Sequence, residues 1–201
     1  KPSLGYRLTM NQGQQYVSDI QYYSGGSEGT ALTPTKYQGP NNLTNSSDRN
    51  TYTILQVLVN YEKNIAQHHF KILGGASQEH SRYNYMSAYR QGFLNNAIDQ
   101  INAAPADGQK ATGYANEWAL QSIFGRINYD YAEKYLIEAN VRSDGSSRFA
   151  SGKRWGTFPS VSLGWVVSEE KFFKPFTNIV NVFKLRASWG KLGNQQISNY
   201  P

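Results

Sequence analysis

An all-β, antiparallel up-and-down fold is predicted on three observations. Apolar and polar residues alternate with period two over several stretches. Short and long connections alternate along the chain. Aromatic residues make up 14% of the 201 residues, with 15 Tyr among them. Period-two alternation sends successive side chains to opposite faces of a pleat, and one apolar face suits antiparallel strands with one wet side.

The elements follow in order. Ser3–Met10 and Gln15–Tyr23 are the weakest strand candidates, separated by a candidate turn at Asn11–Gln14. A long connection at Ser24–Asn50 carries the turn-rich Ser24-Gly25-Gly26-Ser27 and Gly39-Pro40-Asn41-Asn42. Tyr52–Tyr61 places Leu55, Val57, Val59 and Tyr61 on one face, and His68–Ser77 does the same with Phe70, Ile72, Gly74 and Ala76; Glu62–Gln67 is the short turn between them. Gln78–Asn116 reads as a 39-residue connection without strand, a length that usually signals function or disorder. Within it, Phe93, Leu94, Ala97, Ile98 and Ile101 recur at helical spacing and predict a short helix over Gly92–Ile101, while Ala103–Gly108 is small and flexible.

Downstream the alternation sharpens. Ile123, Gly125, Ile127, Tyr129 and Tyr131 oppose Phe124, Arg126, Asn128 and Asp130. A short turn at Asp130–Lys134 leads to Tyr135, Ile137, Ala139 and Val141, opposed by Glu138, Asn140 and Arg142. After the connection Ser143–Arg154, Val161, Leu163, Trp165 and Val167 oppose Ser160, Ser162, Gly164 and Ser168. The last run sets Phe183, Leu185, Ala187 and Trp189 against Lys184, Arg186 and Ser188. The total is about eight strands of roughly 8–12 residues, near the 9–11 that a tilted strand needs to cross a bilayer. Short turns alternating with long connections are the habit of outer-membrane barrels, and a soluble sandwich has no reason to keep that parity. Ser168–Ile179 is the exception, a longer connection on the short-turn side, whose Ser168-Glu169-Glu170-Lys171 reads as an N-cap and helical start.

Several function classes find no support. With no Cys, a disulfide scaffold and a thiolate metal site are excluded. The net charge is +6 and the pI about 9.4, but no block of five Lys or Arg occurs, which argues against nucleic acid as a partner. Mean hydropathy is −0.62, and no stretch approaches the 18 apolar residues of a membrane helix. No signal peptide opens the chain. His68 and His69 point to opposite strand faces and His80 lies far along the strand, so no metal site is expected. Glu169 and Glu170 are adjacent, which does not suit the carboxylate pair of a glycosidase. No nucleophile elbow, phosphate loop or dinucleotide fingerprint is present, so no catalytic residue and no cofactor is assigned, and an enzyme is not expected.

One ordered run carries more information than composition does. It comprises Arg142, Asp144, Gly145, Ser146, Ser147, Arg148 and Phe149, then Arg154, Trp155, Gly156, Phe158, Pro159 and Ser160, then Gly164 and Trp165, and finally Gly193, Asn194 and Gln195. This run resembles the SusC/RagA family of TonB-dependent outer-membrane transporters, in the late part of their barrel. The likeness is sharp over roughly 117–197, looser over 51–78 and only compositional over 1–50. It implies an antiparallel up-and-down transmembrane β-barrel segment, about eight strands of a larger, 22-stranded barrel with long extracellular loops. Residues 1–201 would be part of one barrel domain, with the plug domain and the signal peptide outside this chain. It also implies the bacterial outer membrane as location, an oligosaccharide or peptide as substrate, and a SusD-like surface lipoprotein, TonB and outer-membrane lipid as partners.

Residue roles follow as expectations. Trp155, Phe158, Leu163, Trp165, Phe183, Leu185 and Trp189 are candidates for the membrane girdle or the lipid-facing surface. Tyr83, Tyr85, Tyr89 and Arg90, at the start of the long connection, suit contacts with ligand or partner. Asp144-Gly145 reads as turn chemistry, with positive φ at the glycine and amides capped by the aspartate. The rival fold is a soluble or surface β-rich carbohydrate-binding module. The two differ in where the apolar faces go: against one another in a core, or outward as a belt about 25 Å tall.

Overall fold

The computed structural model describes residues 1–25, 31–176, 178–195 and 197. Among the described residues there are nine strands: β1 (Pro2–Val17), β2 (Ile20–Ser24), β3 (Thr33–Gln38), β4 (Asn42–Ile65), β5 (His68–Gln91), β6 (Lys110–Tyr131), β7 (Tyr135–Ser146), β8 (Trp155–Val166) and β9 (Lys184–Gly190). Seven form one sheet in the order β1-β4-β5-β6-β7-β8-β9, and β2 with β3 forms a separate hairpin. Strands that follow in sequence are neighbours from β4 to β9, the up-and-down order expected from the short connections. Among the described residues β1 and β9 are open edges, so the sheet is not closed.

The chain divides into two compact units, one of residues 1–6, 52–81 and 117–201 and the other of residues 7–51 and 82–116. No linker marks the boundaries, because they fall inside β1, β4, β5 and β6.

The first unit is a strand wall. β6, β7, β8 and β9 pair antiparallel in register, giving cross-strand rows such as Ile127, Ala139, Val161, Trp189 and, one residue along, Asn128, Glu138, Ser162, Ser188. Two tight turns close its hairpins. Ala66 has φ 53° between β4 and β5, and Ala132 and Glu133 have φ 53° and 58° between β6 and β7. The Glu133 amide donates to the Asp130 carboxylate at 2.8 Å, which offsets the left-handed conformation there. Leu120 and Val167 are the buried apolar side chains among its described residues; the others below the surface are Ser77, Ser81, Ser122, Ser146 and Ser168.

The second unit has a small core of its own. Leu43, Phe93 and Ala104 are buried, with Tyr16, Ile98 and Ile101 packed against them. Asn41 ties this core together: its side chain accepts from the Phe93 amide at 2.7 Å and donates to the Phe93 carbonyl at 3.1 Å. The β2–β3 hairpin is antiparallel with a register shift at Tyr22/Tyr23.

Several expectations from sequence are corrected. Asn11–Gln14 is not a turn but part of β1. Gly13 serves close approach there, since a Cβ on it would lie 2.7 Å from the Ser46 hydroxyl. The connection 24–50 contains β3 and the start of β4; Gly26 and Ser27 of its turn-rich stretch lie outside the described residues. The 39-residue connection shrinks to residues 92–109, because β5 continues to Gln91 and β6 begins at Lys110. β4 and β5 are 24 residues each, twice the expected length. The helix over 92–101 does not form, and only a 3₁₀ turn at Ile101–Ala103 appears. Asn95 accepts from the Ala97 amide at 2.9 Å, and Asn96 accepts from Asn41 at 3.1 Å, so local side chains take the backbone and the packing that a helix would need. Ser168 does not cap a helix. It sits inside a 3₁₀ turn at Val167–Glu169 that has no side-chain cap, while its own amide donates to the Phe183 carbonyl at 3.2 Å.

Candidate functional site: the two faces of the strand wall

The register of β6–β9 sorts side chains by chemistry. One face carries Ile123 (63% exposed), Ile127, Ile137, Val141, Val161, Leu163, Leu185 and Trp189 (66% exposed), none of them covered by a second layer. Leu55, Val57, Val59 and Ile72 of the same unit are likewise exposed. The opposite face carries Arg126, Asn128, Glu138, Asn140, Ser160, Ser162, Ser188 and Arg186. In a soluble sandwich the first set would be the core. Here it forms a continuous uncovered surface.

Aromatic rings gather at the turn ends of the apolar face. Phe70 and Tyr129 lie 5.0 Å apart between ring centres, His68 and Tyr131 4.8 Å, and Tyr131 and Tyr135 6.3 Å. The histidines bond separately, His68 to the Tyr129 hydroxyl at 2.8 Å and His69 to Asn64 at 3.0 Å, while His80 faces Glu117 at 3.9 Å. Glu170 accepts from the Tyr135 hydroxyl at 2.6 Å and from the Trp165 indole at 3.2 Å, with Lys134 at 3.5 Å. The Tyr135 hydrogen bond first and the Trp165 hydrogen bond second hold the Glu170 carboxyl below the usual range against the opposing effect of burial, with the Lys134 charge a lesser help.

Of the residues expected on the outward surface, Trp155, Leu163, Trp165, Leu185 and Trp189 share the apolar face by register, and Phe183 continues the same parity ahead of β9. Phe158 does not. It pairs with Arg142, on the polar side, because the alternation of β8 runs through Pro159 without a break.

The motif residues knit together the loop end of the polar face. Arg142 binds Asp144 through Nε at 2.7 and 2.9 Å, donates to Ser122 at 2.8 Å and lies 5.4 Å from the Phe124 ring centre. Asp144 therefore receives a guanidinium rather than capping amides. Gly145 is within β7, and the positive φ of this hairpin falls at Gly152 instead, so the turn reading of Asp144-Gly145 is corrected. Glycine is required at 145 for another reason: a Cβ there would sit 2.6 Å from the Trp155 ring. Ser147 exchanges two hydrogen bonds with Ala119 at 2.9 Å. Arg148 donates to the carbonyls of Gln195 and Ile197 at 3.2 and 3.3 Å and lies 5.3 Å from the Trp118 ring centre. Arg142, Asp144, Phe149, Arg154, Phe158 and Gly193–Gln195 line a cavity of about 450 Å³, within the size range of small-ligand sites.

Tyr83, Tyr85, Tyr89 and Arg90 lie inside β5, not in a loop. Tyr83 and Tyr85 flank Tyr114, with ring centres 5.9 and 5.3 Å away. Arg90 is occupied structurally, donating to the carbonyls of Asn102 and Ala104 and to Gln109 at 3.3, 2.9 and 3.1 Å. Trp118 and Ser122 escaped the sequence reading, although parity with Arg126 would have placed them on the polar face, and Glu170 reads from sequence only as part of a helical start.

A sheet with one uncovered apolar face, one charged and hydroxyl-rich face and aromatics at the strand ends is the wall of a membrane-spanning β-barrel. Residues 2–200 match the family described as TonB dependent receptor-like, beta-barrel. The chain belongs to this family of outer-membrane proteins. It is 34% identical over 183 residues to the TonB-dependent receptor SusC of Bacteroides thetaiotaomicron, covering 88% of this chain and 17% of that protein. It is 40% identical over 143 residues to the TonB-dependent receptor P39 of Formosa agariphila, covering 70% of this chain and 14% of that one. The chain thus spans less than a fifth of the length of these relatives. Among solved structures, that of the RagAB peptide transporter superposes with a TM-score of 0.79 over 99% of this chain and 21% of that one, at 21% identity.

Proposed function

We propose that the chain is part of the wall of a TonB-dependent importer that takes up oligosaccharides or peptides across the outer membrane. The observation that carries this reading is the register of β6–β9, which puts an apolar face and a polar one back to back along most rows. The apolar face, with Trp155, Leu163, Trp165, Phe183, Leu185 and Trp189, meets lipid; the polar face lines the lumen. Closing the strands through the rest of a longer parent removes the open edges, which lipid does not tolerate. A SusD-like surface lipoprotein would cover the outer mouth, and TonB would supply energy through a plug. Substrate contact would come from the lumen side of the first unit, at the cavity beside Arg154 and Phe158, while within the second unit the rings of Tyr83, Tyr85 and Tyr114 would offer stacking surfaces. The wall supplies passage and recognition, and we assign it no catalytic step.

The test is intact-mass measurement and peptide mapping of the native protein in an outer-membrane fraction, with co-purifying chains identified. The expected result is a parent several times larger, soluble only in detergent and accompanied by a surface lipoprotein. A native chain of 22.6 kDa that stays soluble without detergent overturns the proposal.

A further inference from the structure

The connection after β8 is long for its side of the wall, and the structure shows which way it turns. Three of its residues make contacts with the apolar face. Glu170 is held by Tyr135 and Trp165, Phe172 stands 6.4 Å from Trp165 between ring centres, and Phe173 stacks on Phe183 at 5.8 Å. Tyr135 and Trp165 are paired with each other in register, and Trp165 is paired with Leu185, so these contacts bind the connection to the outward edge of the wall, with Lys134 of the β6–β7 turn as a further partner of Glu170. Anchored there, it presents Phe172 at 62%, Phe176 at 56% and Ile179 at 83% exposure, with the exposed Lys171 beside them. Large rings left open to water on a pinned segment need a partner, and the apolar face with which they are continuous already meets lipid.

We infer that residues 171–176 form a membrane-interface anchor. Phe172 and Phe176 lie in the headgroup–acyl boundary of the leaflet nearest the β6–β7 turn, and Lys171 lies at the level of the phospholipid phosphates. Aromatic rings and lysines at that depth are the usual composition of an interfacial segment. The Glu170 bonds set the angle at which the segment meets the bilayer. The inference rests on the outward face being the lipid face.

The full-length parent is reconstituted in vesicles of phosphatidylethanolamine and phosphatidylglycerol, with nitroxide labels placed singly at Phe172→Cys and Phe176→Cys in a background without other reactive thiols. Both positions are more than half exposed, and the Glu170 bonds and the Phe173–Phe183 stack still hold the segment when either ring is replaced. Val161→Cys serves as the lipid control and Ser162→Cys as the lumen control. The oxygen-to-nickel-chelate accessibility ratio at 172 and 176 is expected to be several-fold above that at 162 and to approach that at 161. A ratio equal to that at 162 overturns the anchor, as does low access to both reagents, which would mean that protein covers the segment. A water-like ratio at 161 would instead sink the barrel-wall reading itself.

Discussion

A single charge placed on each face of β8 separates a lipid-facing wall from a water-facing sheet. Trp155 and Trp165 share the apolar face ten residues apart. At roughly 3.3 Å per residue they stand about 33 Å apart along the strand, and a tilt of about 40° projects this to roughly 25 Å, the height of the apolar band of an outer-membrane barrel. Val161 lies near the midpoint, 41% exposed and paired with Ala139 and Trp189. Val161→Arg in the full-length parent therefore puts a guanidinium close to the bilayer midplane, at a cost of about 2–4 kcal/mol, or about 30- to 700-fold in the folding equilibrium. Ser162→Arg adds the same charge one residue along, on the opposite face and across from Glu138, where its effect should stay within about 1 kcal/mol. The assay is reversible urea unfolding from lipid vesicles, followed by gel mobility. If Val161→Arg costs no more than Ser162→Arg, the assignment of faces is wrong. If Val161→Arg costs under about 0.5 kcal/mol, that face is in water and the chain is no membrane wall.

Three further outcomes are expected. Gly145→Val forces its side chain into the Trp155 ring, which lies 2.6 Å from the Cβ position; a loss of about 1–3 kcal/mol and a changed Trp155 emission should follow, and an unshifted spectrum would mean that the two do not pack. Asn41→Ala removes both bonds to the Phe93 backbone, leaving a buried amide unpaired at about 1–3 kcal/mol; protease cleavage within residues 92–109 should rise, and unchanged cleavage counts against Asn41 as the tie. The bonds to Glu170 favour its carboxylate, so its folded pKa lies below its unfolded one. Its contribution is fully present above the usual Glu value of about 4.3 and is lost as pH falls through the lowered folded value, so Glu170→Gln should flatten the acid limb of stability against pH while leaving its slope near neutrality unchanged.

The strands legible in the sequence are those with lipid on one side. Ile123–Tyr131 and Val161–Trp165 alternate because one face is apolar and the other wet, and their parity matches the observed register. Beyond Leu43, the first part of β4 to Asn50 is strand without contrast: Thr, Asn, Ser, Asp and Arg follow one another. A strand that is polar on both faces shows no period and reads as a loop, as do the extensions of β5 and β6, where apolar and polar residues mix on each face. The motif residues were legible as a group, but their roles were not. Arg148 reaches carbonyls nearly fifty residues away, a partnership that no local spacing encodes.

The distribution of buried carbon explains why this wall depends on its surroundings. Among its described residues the first unit buries only Leu120 and Val167 as apolar side chains, so the hydrophobic term that usually offsets chain entropy is nearly missing from within it. Its large apolar residues instead form the uncovered face, where transfer out of water is completed by lipid and not by a second sheet. The ladder hydrogen bonds then become strong, because lipid offers the backbone no competing partner. The second unit differs, with Leu43, Phe93 and Ala104 buried under a loop that Asn41 and Arg90 hold in place. The first unit thus takes its stability from bilayer insertion and barrel closure, whereas the second draws part of its stability from its own core. The same sequence features that leave the wall without a core are the ones that let it face hydrocarbon on one side and a wet lumen on the other.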